Sequence, residues 1–156
     1  MIIRKATIDD IGSIIDLFWE LDTGAINYQP EHFQRGERTD EYLSGIIIGA
    51  KSDFLLAVKD GEVVGFSLLY EKEIGGLSLL VPCKCAYIQD FVVKDKYRNI
   101  GIGSQLMQES KLWAKKHGMD YLRLSVFPNN KDAQRFYSRH GFNEQMIAME
   151  CPVQTV

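Results

Sequence analysis

The sequence predicts a domain of the α/β (α+β) class, in which helices flank a mixed, mostly antiparallel β-sheet. The antiparallel part is indicated by residues 54–59 and 62–70, two apolar stretches separated only by Asp60-Gly61, a strong signal for a two-residue hairpin. The parallel part is indicated by residues 87–93 and 121–126, which have strand composition and stand on either side of one helical segment. A strand–helix–strand crossover makes its two strands parallel.

Length and composition restrict the class of protein. The 156 residues suit one domain, so we expect a single unit over residues 1–156. With 46% hydrophobic and 25% charged residues, the composition is that of a soluble globular protein, and no apolar run is long enough to span a bilayer. Charged residues follow Met1 closely where a secretory signal needs an apolar segment, so we expect a cytoplasmic protein with no membrane partner. The net charge of −3, without a basic stripe and interleaved aromatics, argues against a nucleic acid partner.

The cysteines and histidines give no sign of a metal or of a covalent nucleophile. Cys83, Cys85 and Cys151 are an odd number in a chain without an export signal, which favours reduced thiols over a disulfide. None of the histidines lies at zinc-ligand spacing from a second ligand, so no metal is expected. No Ser or Cys stands in a motif such as G-x-S-x-G, and covalent catalysis is therefore not expected.

The N-terminal third reads as one strand and two helical regions. Residues 2–6 have strand composition, and apolar residues at helical spacing predict a helix over about residues 7–21. A loop is expected at 23–30, followed by an intermittent helical region over 31–48. Nine acids and two bases lie within residues 9–41, a net charge of −7. This acidic stretch is either a solvated helix face or a surface that attracts a cationic substrate.

The remaining part of the chain alternates strands and helices. The expected elements are a central strand at 84–93, a helix at 104–117, a strand at 121–126, a short helix at about 130–140 and a last strand at 142–149. Gly118 suits the position just after the end of the long helix. Because the N-terminus of that helix and the carboxyl ends of both parallel strands share one edge of the sheet, a ligand is expected there.

The turn between the central strand and the long helix is rich in glycine, since Arg98-Asn-Ile-Gly-Ile-Gly103 leads directly into the helix. Unpaired N–H groups at a helix N-terminus attract an anion, and glycines let a phosphate approach the backbone. Lys94 and Lys96, with Arg98, outweigh Asp95 beside this turn. The dinucleotide pattern fails because Leu106 stands where glycine is required, and the Gly-Lys-Ser/Thr of a P-loop is absent. A phosphorylated ligand is expected, although turn chemistry alone also explains the glycines.

Two motifs resemble those of the GNAT superfamily of N-acetyltransferases. Arg98-x-x-Gly101-x-Gly103, after a strand that ends in Val, resembles its acetyl-CoA-binding motif. Asn130-x-x-Ala133-x-x-Phe136-Tyr137-x-x-x-Gly141-Phe142 resembles its closing motif, and Tyr87-Ile-Gln-Asp-Phe-Val-Val93 is similar to the diamine acetyltransferase branch in particular. The resemblance covers residues 87–142 and implies a sheet whose parallel strands splay apart at the cofactor site.

The resemblance also implies acetyl-CoA as cosubstrate and assigns residues to it. Backbone groups of the central strand would pair with the pantetheine arm, and amides of the glycine turn would hold the pyrophosphate. Asn130 would bond the pantetheine part, cap its helix or do both, and Ala133 would keep that helix close to the ligand. The implied cofactor-binding residues are Phe91, Val92, Val93, Arg98, Asn99, Ile100, Gly101, Ile102, Gly103, Ser104, Asn130, Ala133 and Tyr137.

Acetyl transfer to an amine needs an unprotonated nitrogen, a polarised thioester carbonyl and a proton for the departing thiolate. Tyr137 matches the family position that donates to the CoA sulfur, with core packing as its alternative role. The position matched by Gln89 can carry a glutamate base in the diamine branch, and glutamine cannot act as a base. Asp90 is the nearest carboxylate, and it is either the base or a hydrogen-bonded structural group. Glu20, Glu31 and Gln89 are further candidates on the substrate side.

Three functions stay open on the sequence alone. The first is acetyl transfer to the primary amine of a small molecule by direct attack in a ternary complex. The second is N-acetylation of a protein or peptide, which the acidic stretch would attract equally well. The third is a non-catalytic acyl-CoA sensor, favoured by the missing glutamate at position 89 and opposed by Tyr137. A homodimer is a further expectation, because similar proteins are frequently dimeric.

Overall fold

The structure, a computed structural model, describes residues 1–155. Short 3₁₀ turns lie at Ile8–Asp10, Asp95–Tyr97 and Val153–Thr155. No helix within residues 1–155 has both the length and the apolar character needed to cross a bilayer. The strands and α-helices are β1 (Ile2–Lys5), α1 (Ile11–Tyr28), α2 (Asp40–Ile48), β2 (Ser52–Lys59), β3 (Glu62–Ile74), β4 (Cys83–Val93), α3 (Ile102–Lys116), β5 (Tyr121–Arg123) and α4 (Lys131–Arg139).

The sheet is mixed, and its five strands follow the order β1-β2-β3-β4-β5. The first four strands are antiparallel neighbours, whereas β5 runs parallel to β4. The hairpin between β2 and β3 turns at Asp60 and Gly61, whose φ angles of 52° and 80° match a turn with two left-handed central residues. The predicted fold class is therefore confirmed, including the parallel pair.

Helices cover both faces of the sheet. On one face, α1 and α2 pack on a cluster that includes the buried Phe18, Phe54 and Phe66. On the other face, α3 buries Leu106 and Trp113 against residues of β2, β3 and β4. Removing each such side chain from water contributes about 1.5–3 kcal/mol to folding, so the strands between the two layers are held rigidly. That rigidity positions the carboxyl end of β4.

Helix α1 runs to Tyr28, so the loop expected at 23–30 is wrong over most of its length. Gly24 costs about 1 kcal/mol relative to alanine inside a helix, but contacts at this end of α1 oppose that cost. Asp22 accepts hydrogen bonds from the Gly36 amide at 2.9 Å and from Arg38 at 2.5 and 2.9 Å. These bonds fasten residues 30–39 to α1, and the second helix consequently begins only at Asp40.

The last strand expected at 142–149 is also wrong, because these residues join no ladder of the described sheet. Strand β5 is likewise shorter than the expected 121–126 and ends at Arg123. Strand β5 is short because β4 and β5 diverge after the pair Tyr87–Arg123, and residues beyond that point have no neighbouring strand on that side. A strand pattern needs a partner before it becomes a strand.

Candidate active site

The candidate site lies where β4 and β5 separate. Their ladder pairs Cys85 with Tyr121, Ala86 with Leu122 and Tyr87 with Arg123, and there it ends. Residues 88–93 of β4 therefore continue with β3 on one side and no strand on the other within the described chain. Backbone N–H and C=O groups along such a gap are free to form hydrogen bonds, so the gap suits a ligand with amide groups of its own.

Helix α3 begins beside this gap with free backbone amides. Gly101 precedes its first turn with φ of 88°, and no side chain among residues 1–155 caps the helix start. Asn99 also adopts a left-handed φ of 61°, which bends the loop sharply toward the helix. The first-turn N–H groups together with the helix dipole attract an anion, so the turn can hold a phosphate group. The buried Ile102 anchors the turn in the core, while Ile100 is exposed.

Gly103 and Ser104 connect the start of α3 to α4. A β-carbon on Gly103 would lie 3.4 Å from the ring of Phe136, so glycine lets the two helices approach closely. Ser104 Oγ lies 3.1 Å from His140 Nε2, at the end of α4. Burial lowers the pKa of His140, and the charges of Lys111 and Arg139 add to this effect. At neutral pH the imidazole is therefore uncharged and can bond this hydroxyl.

The basic residues before the helix are paired, which differs from the free positive charge that the sequence suggests. Lys94 Nζ lies 2.8 Å and Lys96 Nζ lies 3.4 Å from Glu62 Oε1, and Tyr97 donates to the other oxygen of Glu62 at 2.6 Å. The hydrogen bond from Lys94 and then that from Tyr97 lower the pKa of Glu62 to about 2. The contacts of Lys94, Lys96 and Tyr97 with Glu62 fix the loop to β3. The third basic residue of the loop, Arg98, instead contacts Glu20 of α1.

Arg98 lies between the glycine turn and α1. Its Nε donates to the carbonyl of Val93 at 2.8 Å, and its two terminal nitrogens lie 3.1 Å from Asp95 and Glu20. Glu20 also accepts the Asp95 amide at 2.6 Å. Glu20, a substrate candidate, therefore contacts the loop between β4 and α3, whereas Glu31 is exposed in the segment after α1. Phe91, Val92 and Val93 lie at the end of β4, immediately before this loop.

Helix α4 brings Tyr137 against the end of β4. The ring centroid of Tyr137 is 6.4 Å from that of Phe91, and Phe136 and Phe142 surround it at 5.4 and 5.7 Å. Burial raises the pKa of Tyr137 to about 12, so the phenol keeps its proton at neutral pH. No hydrogen bond within residues 1–155 engages its hydroxyl.

Asn130 forms the N-cap of α4. Its side-chain oxygen accepts the amide of Ala133 at 3.1 Å. The capping role that the sequence suggests for Asn130 is therefore present. Its role toward a cofactor stays a prediction, as does that of Ala133.

Asp90 stands at a β-bulge in β4. Leu68 pairs with Asp90 and Leu69 pairs with Ile88, so Gln89 is the extra residue and its side chain is exposed. Burial raises the pKa of Asp90 to about 6, Arg38 opposes this rise and Asp22 adds to it. Among residues 1–155 no group hydrogen-bonds the Asp90 carboxyl. The structural, hydrogen-bonded role considered for Asp90 therefore finds no support.

The sequence interpretation missed the ion pair next to Asp90. Asp22 and Arg38 are both largely buried, and the guanidinium also lies 4.2 Å from the ring centroid of Phe18. Burial acts to raise the pKa of Asp22, but the hydrogen bonds from Arg38 and Gly36 outweigh burial and lower this pKa. One signal was available: Asp22 follows Phe18 by four residues and so falls on the apolar stripe of α1.

Tyr70 is a second residue that the sequence interpretation did not select. It lies on β3 opposite Tyr87. Burial raises the pKa of Tyr70 to about 12, with further contributions from Tyr42 and Asp90. Asp90, Tyr70 and the Asp22–Arg38 pair thus form one polar group on the α1–α2 face of the sheet, opposite the face that carries Tyr137.

The split parallel pair and the uncapped start of α3 lie together at one edge of the sheet. Residues 13–142 match the model of the Acetyltransferase (GNAT) family. Because this match covers well over half of the chain, the chain belongs to the GNAT family, and it is an acyl-CoA-dependent N-acetyltransferase.

Curated relatives are similar over most of this chain. The aminoalkylphosphonate N-acetyltransferase of Salmonella typhimurium is 30% identical over 142 residues, which is 91% of this chain and 84% of the relative. The spermidine N(1)-acetyltransferase of Thermoplasma acidophilum is 27% identical over 90% of this chain and 86% of its own length. An uncharacterised N-acetyltransferase of Methanocaldococcus jannaschii is 26% identical over 93% of this chain, which spans only 62% of that protein.

Solved structures share the fold. A mutant of the BH1408 protein from Bacillus halodurans superposes with a TM-score of 0.91 at 26% identity, covering 98% of this chain and 100% of that one. An aminoglycoside N-acetyltransferase solved in complex with CoA has a TM-score of 0.74 at 16% identity, covering 97% of this chain and 98% of that chain. At that lower identity the likeness concerns the fold alone.

Proposed function

We propose that this enzyme transfers the acetyl group of acetyl-CoA to the primary amine of a small molecule, by direct attack in a ternary complex. The observation that carries the proposal is the position of Asp90 and Tyr137 on either face of β4, at the gap between β4 and β5. Consecutive residues of a strand point to opposite faces. Phe91 contacts Tyr137 on one face, and Asp90 lies near Arg38 and Asp22 on the other.

The residues at the gap fit acetyl-CoA. Uncapped amides at Gly101–Ser104 suit the pyrophosphate, and the unpaired edge of β4 at Phe91–Val93 suits the amides of the pantetheine arm. A bound pyrophosphate would compete with Glu20 and Asp95 for Arg98, so we propose that these carboxylates hold the guanidinium in place beforehand. When bound, acetyl-CoA supplies an acetyl group activated as a thioester.

Asp90 is the proposed base. An alkylamine has a pKa near 10, so its proton must be removed before it can attack. At neutral pH a carboxyl with a pKa of about 6 is mostly ionised and still accepts a proton more readily than an ordinary aspartate. The ammonium would first lose one proton to solvent. As the neutral nitrogen then forms its bond to the acetyl carbon, a second proton would pass from nitrogen to Asp90, directly or through one water.

Tyr137 is the proposed acid. As the carbon–sulfur bond breaks, the phenol would donate its proton to the departing sulfur. Its raised pKa keeps the phenol protonated at neutral pH, and its hydroxyl is not engaged elsewhere in residues 1–155. The tyrosinate and the protonated Asp90 would then return to their starting states by exchange with solvent.

The acceptor is proposed to be small and cationic. The acids of residues 9–41 are only partly neutralised, since Arg4, Arg38 and Arg98 pair with Asp10, Asp22 and Glu20 respectively. Relatives that act on an aminoalkylphosphonate and on spermidine support a small amine as acceptor. Glu31 and Gln89 remain proposed substrate contacts. A cytoplasmic location and a homodimer remain predictions.

A thiol-release assay with acetyl-CoA tests the proposal. The acceptor panel would contain spermidine, an aminoalkylphosphonate, an aminoglycoside and a lysine-containing basic peptide. We expect turnover with at least one small amine and its loss in Tyr137→Phe and Asp90→Asn. Turnover confined to the peptide would assign the enzyme to protein acetylation. Calorimetric binding of acetyl-CoA without any transfer would instead identify a sensor and contradict the proposal.

A further inference from the structure

The hairpin that joins β3 to β4 projects from the sheet. The first residue of β2 pairs with Tyr70, and the first residue of β5 pairs with Cys85. Beyond both of these pairs, β3 and β4 continue as two strands up to the pair Ile74–Cys83, and residues 73–84 are here named the β3–β4 ribbon. Because β4 runs from this ribbon to the glycine turn, the ribbon lies at the end of the sheet away from the candidate active site.

The tip of the β3–β4 ribbon is apolar and exposed. Residues 74–82 contain no charged side chain, although tight turns are usually built from Gly, Pro, Asn, Asp and Ser. Leu77, Leu79 and Val81 are 62%, 81% and 85% exposed, and Leu80 beside them is 37% exposed. An exposed cluster of aliphatic side chains marks a surface that binds a protein or a membrane.

Lysines surround the base of the ribbon. The charged residues that line the cavity there are Lys51, Lys72, Lys84, Glu71, Glu73 and His117. The three lysines have no ion-pair partner within residues 1–155, whereas Glu71 lies 2.6 Å from His117. Nearby, Asp120 accepts the backbone amide of Lys84 at 2.8 Å. Two exposed lysines end α3 on the same side, so this end of the sheet is basic in a chain whose net charge is −3.

The partner that these features favour is the surface of an anionic bilayer. Protein interfaces concentrate their binding energy in Trp, Tyr and Arg, and residues 74–82 contain none of these. A second copy related by a two-fold axis would place the same lysines opposite one another, which is repulsive. At a bilayer, by contrast, aliphatic side chains enter the boundary between headgroups and acyl chains while lysines contact acidic headgroups.

We propose that the β3–β4 ribbon binds the surface of an anionic membrane. The aliphatic side chains of residues 77–81 enter between the headgroups, and Lys51, Lys72 and Lys84 contact the lipid phosphates. A loop that binds in this way needs no membrane-spanning helix. Peripheral binding of this kind departs from the sequence-based expectation of no membrane partner, which rested on the lack of a spanning segment.

Membrane binding through the ribbon goes beyond the proposed acetyl transfer and does not depend on it. The glycine turn and the gap between β4 and β5 lie at the other end of β4, so they face away from a membrane that holds the ribbon. Tyr137→Phe, which should lose acetyl transfer, should therefore bind vesicles like the wild type. A failure of one proposal is thus distinguishable from a failure of the other.

Sedimentation of the full chain with vesicles tests the binding, and amide hydrogen exchange tests the surface. Vesicles of phosphatidylcholine and phosphatidylglycerol in equal parts are compared with vesicles of phosphatidylcholine alone. We expect the chain to sediment with the anionic vesicles and to stay in solution with the neutral ones. The amides of residues 77–81 should exchange at least about tenfold more slowly when anionic vesicles are present.

Two pairs of variants test the two parts of the surface. Leu79→Asp should lower the partition coefficient for anionic vesicles at least about tenfold. Ile2→Asp is its matched control, since Ile2 is 60% exposed at the opposite end of the sheet, and it should bind like the wild type. Lys84→Gln should lower the partition coefficient about fivefold. Lys59→Gln, next to the turn at the opposite end of the sheet, should leave it unchanged.

Four results would overturn the proposal. A wild-type chain that sediments with neither kind of vesicle does not bind membranes, and one that sediments equally with both does not recognise anionic lipid. Unchanged binding of Leu79→Asp, or unchanged exchange at residues 77–81, would place the contact elsewhere. Light scattering without lipid gives the fourth: a mass that Leu79→Asp halves would assign the ribbon to a contact between two copies. The exchange measurement uses the wild type and so does not depend on the folding of any variant.

Discussion

Replacing Asp90 with asparagine tests whether the carboxyl has a catalytic or a structural role. The two side chains have nearly the same shape, but asparagine neither ionises nor accepts a proton. The Asp90 carboxyl lies at the bulge of β4 with Arg38 and Asp22 as its nearest charges, and no group within residues 1–155 hydrogen-bonds it. A structural carboxylate would be stabilising in this position, whereas a buried base without hydrogen bonds should be a cost to the fold.

The size of this cost follows from the pKa. Burial raises the pKa of Asp90 from 3.8 to about 6, so the native state binds the proton more tightly than the unfolded chain does. At neutral pH the ionised carboxyl therefore destabilises the fold by about 2–3 kcal/mol, and Asp90→Asn should raise the free energy of unfolding by that amount. The advantage should shrink as the pH falls through about 6 and end below about 4, where the wild-type carboxyl is protonated in both states.

Although Asp90→Asn should be more stable than the wild type, its kcat should be lower. Loss of a general base lowers kcat by about 10²- to 10⁴-fold. In the wild type, kcat should fall as the pH drops below about 6, because Asp90 must be ionised to accept the proton of the amine. This fall should be missing from the residual activity of Asp90→Asn.

Urea unfolding over a range of pH measures the first effect, and thiol release at saturating substrates measures the second. Asp16→Asn is the matched control, since Asp16 is an exposed aspartate on α1, and it should alter neither quantity. An Asp90→Asn variant that is less stable than the wild type would show that the carboxyl is structural. A variant with unchanged kcat and an unchanged fall at low pH would refute the assignment of the base.

Three further predictions concern other parts of the molecule. Tyr137→Phe should lower kcat by about 10²- to 10⁴-fold while calorimetry shows unchanged affinity for CoA; an unchanged kcat would leave the phenol with a packing role only. Gly101→Ala should lower the free energy of unfolding by roughly 1–2 kcal/mol, because φ is 88° there. Urea unfolding checks this, with the exposed helical Gly12→Ala as the control, and equal losses would contradict it. The hydrogen bond from Arg4 lowers the pKa of Asp10 to about 2 against the opposing effect of burial. This pair should therefore stabilise the fold fully above about pH 4 and lose its effect as the pH falls towards 2. Asp10→Asn should reduce the acid dependence of the urea unfolding curves, with the remainder due to Glu62 and Asp22, and a variant with the full dependence of the wild type would contradict this origin.

The parts of the fold that could be predicted are those whose signals are local in sequence. Asp60-Gly61 specifies the hairpin because both residues tolerate a left-handed φ. Gly101 fixes the start of α3 within two residues of the expected position, and Asn130 caps α4 as an asparagine before a helix commonly does. The parallel pair followed from chain topology, since a crossover helix leaves its two strands pointing the same way.

The parts that could not be predicted depend on contacts distant in sequence. The sequence places the excess positive charge of Lys94 and Lys96 beside the glycine turn, but Glu62 binds both from another strand. Asp22 and Arg38 are sixteen positions apart, and their hydrogen bonds fasten the segment before α2 to α1. The pattern at 142–149 predicts a strand, but in the described chain these residues join no ladder, because strand composition alone does not supply a paired neighbour.

The Asp22–Arg38 pair also explains how a buried aspartate keeps a raised pKa beside an arginine. A free guanidinium near Asp90 would stabilise the ionised carboxylate and pull its pKa down. Here Arg38 donates two hydrogen bonds to Asp22. The negative charge of Asp22 raises the pKa of Asp90 and so opposes most of the lowering effect of Arg38. The pair therefore acts on Asp90 nearly as a neutral group, and burial determines the outcome. The same two hydrogen bonds fasten residues 30–39 to α1, so the contact that shapes the loop on this face of the sheet also leaves burial to determine the pKa of Asp90.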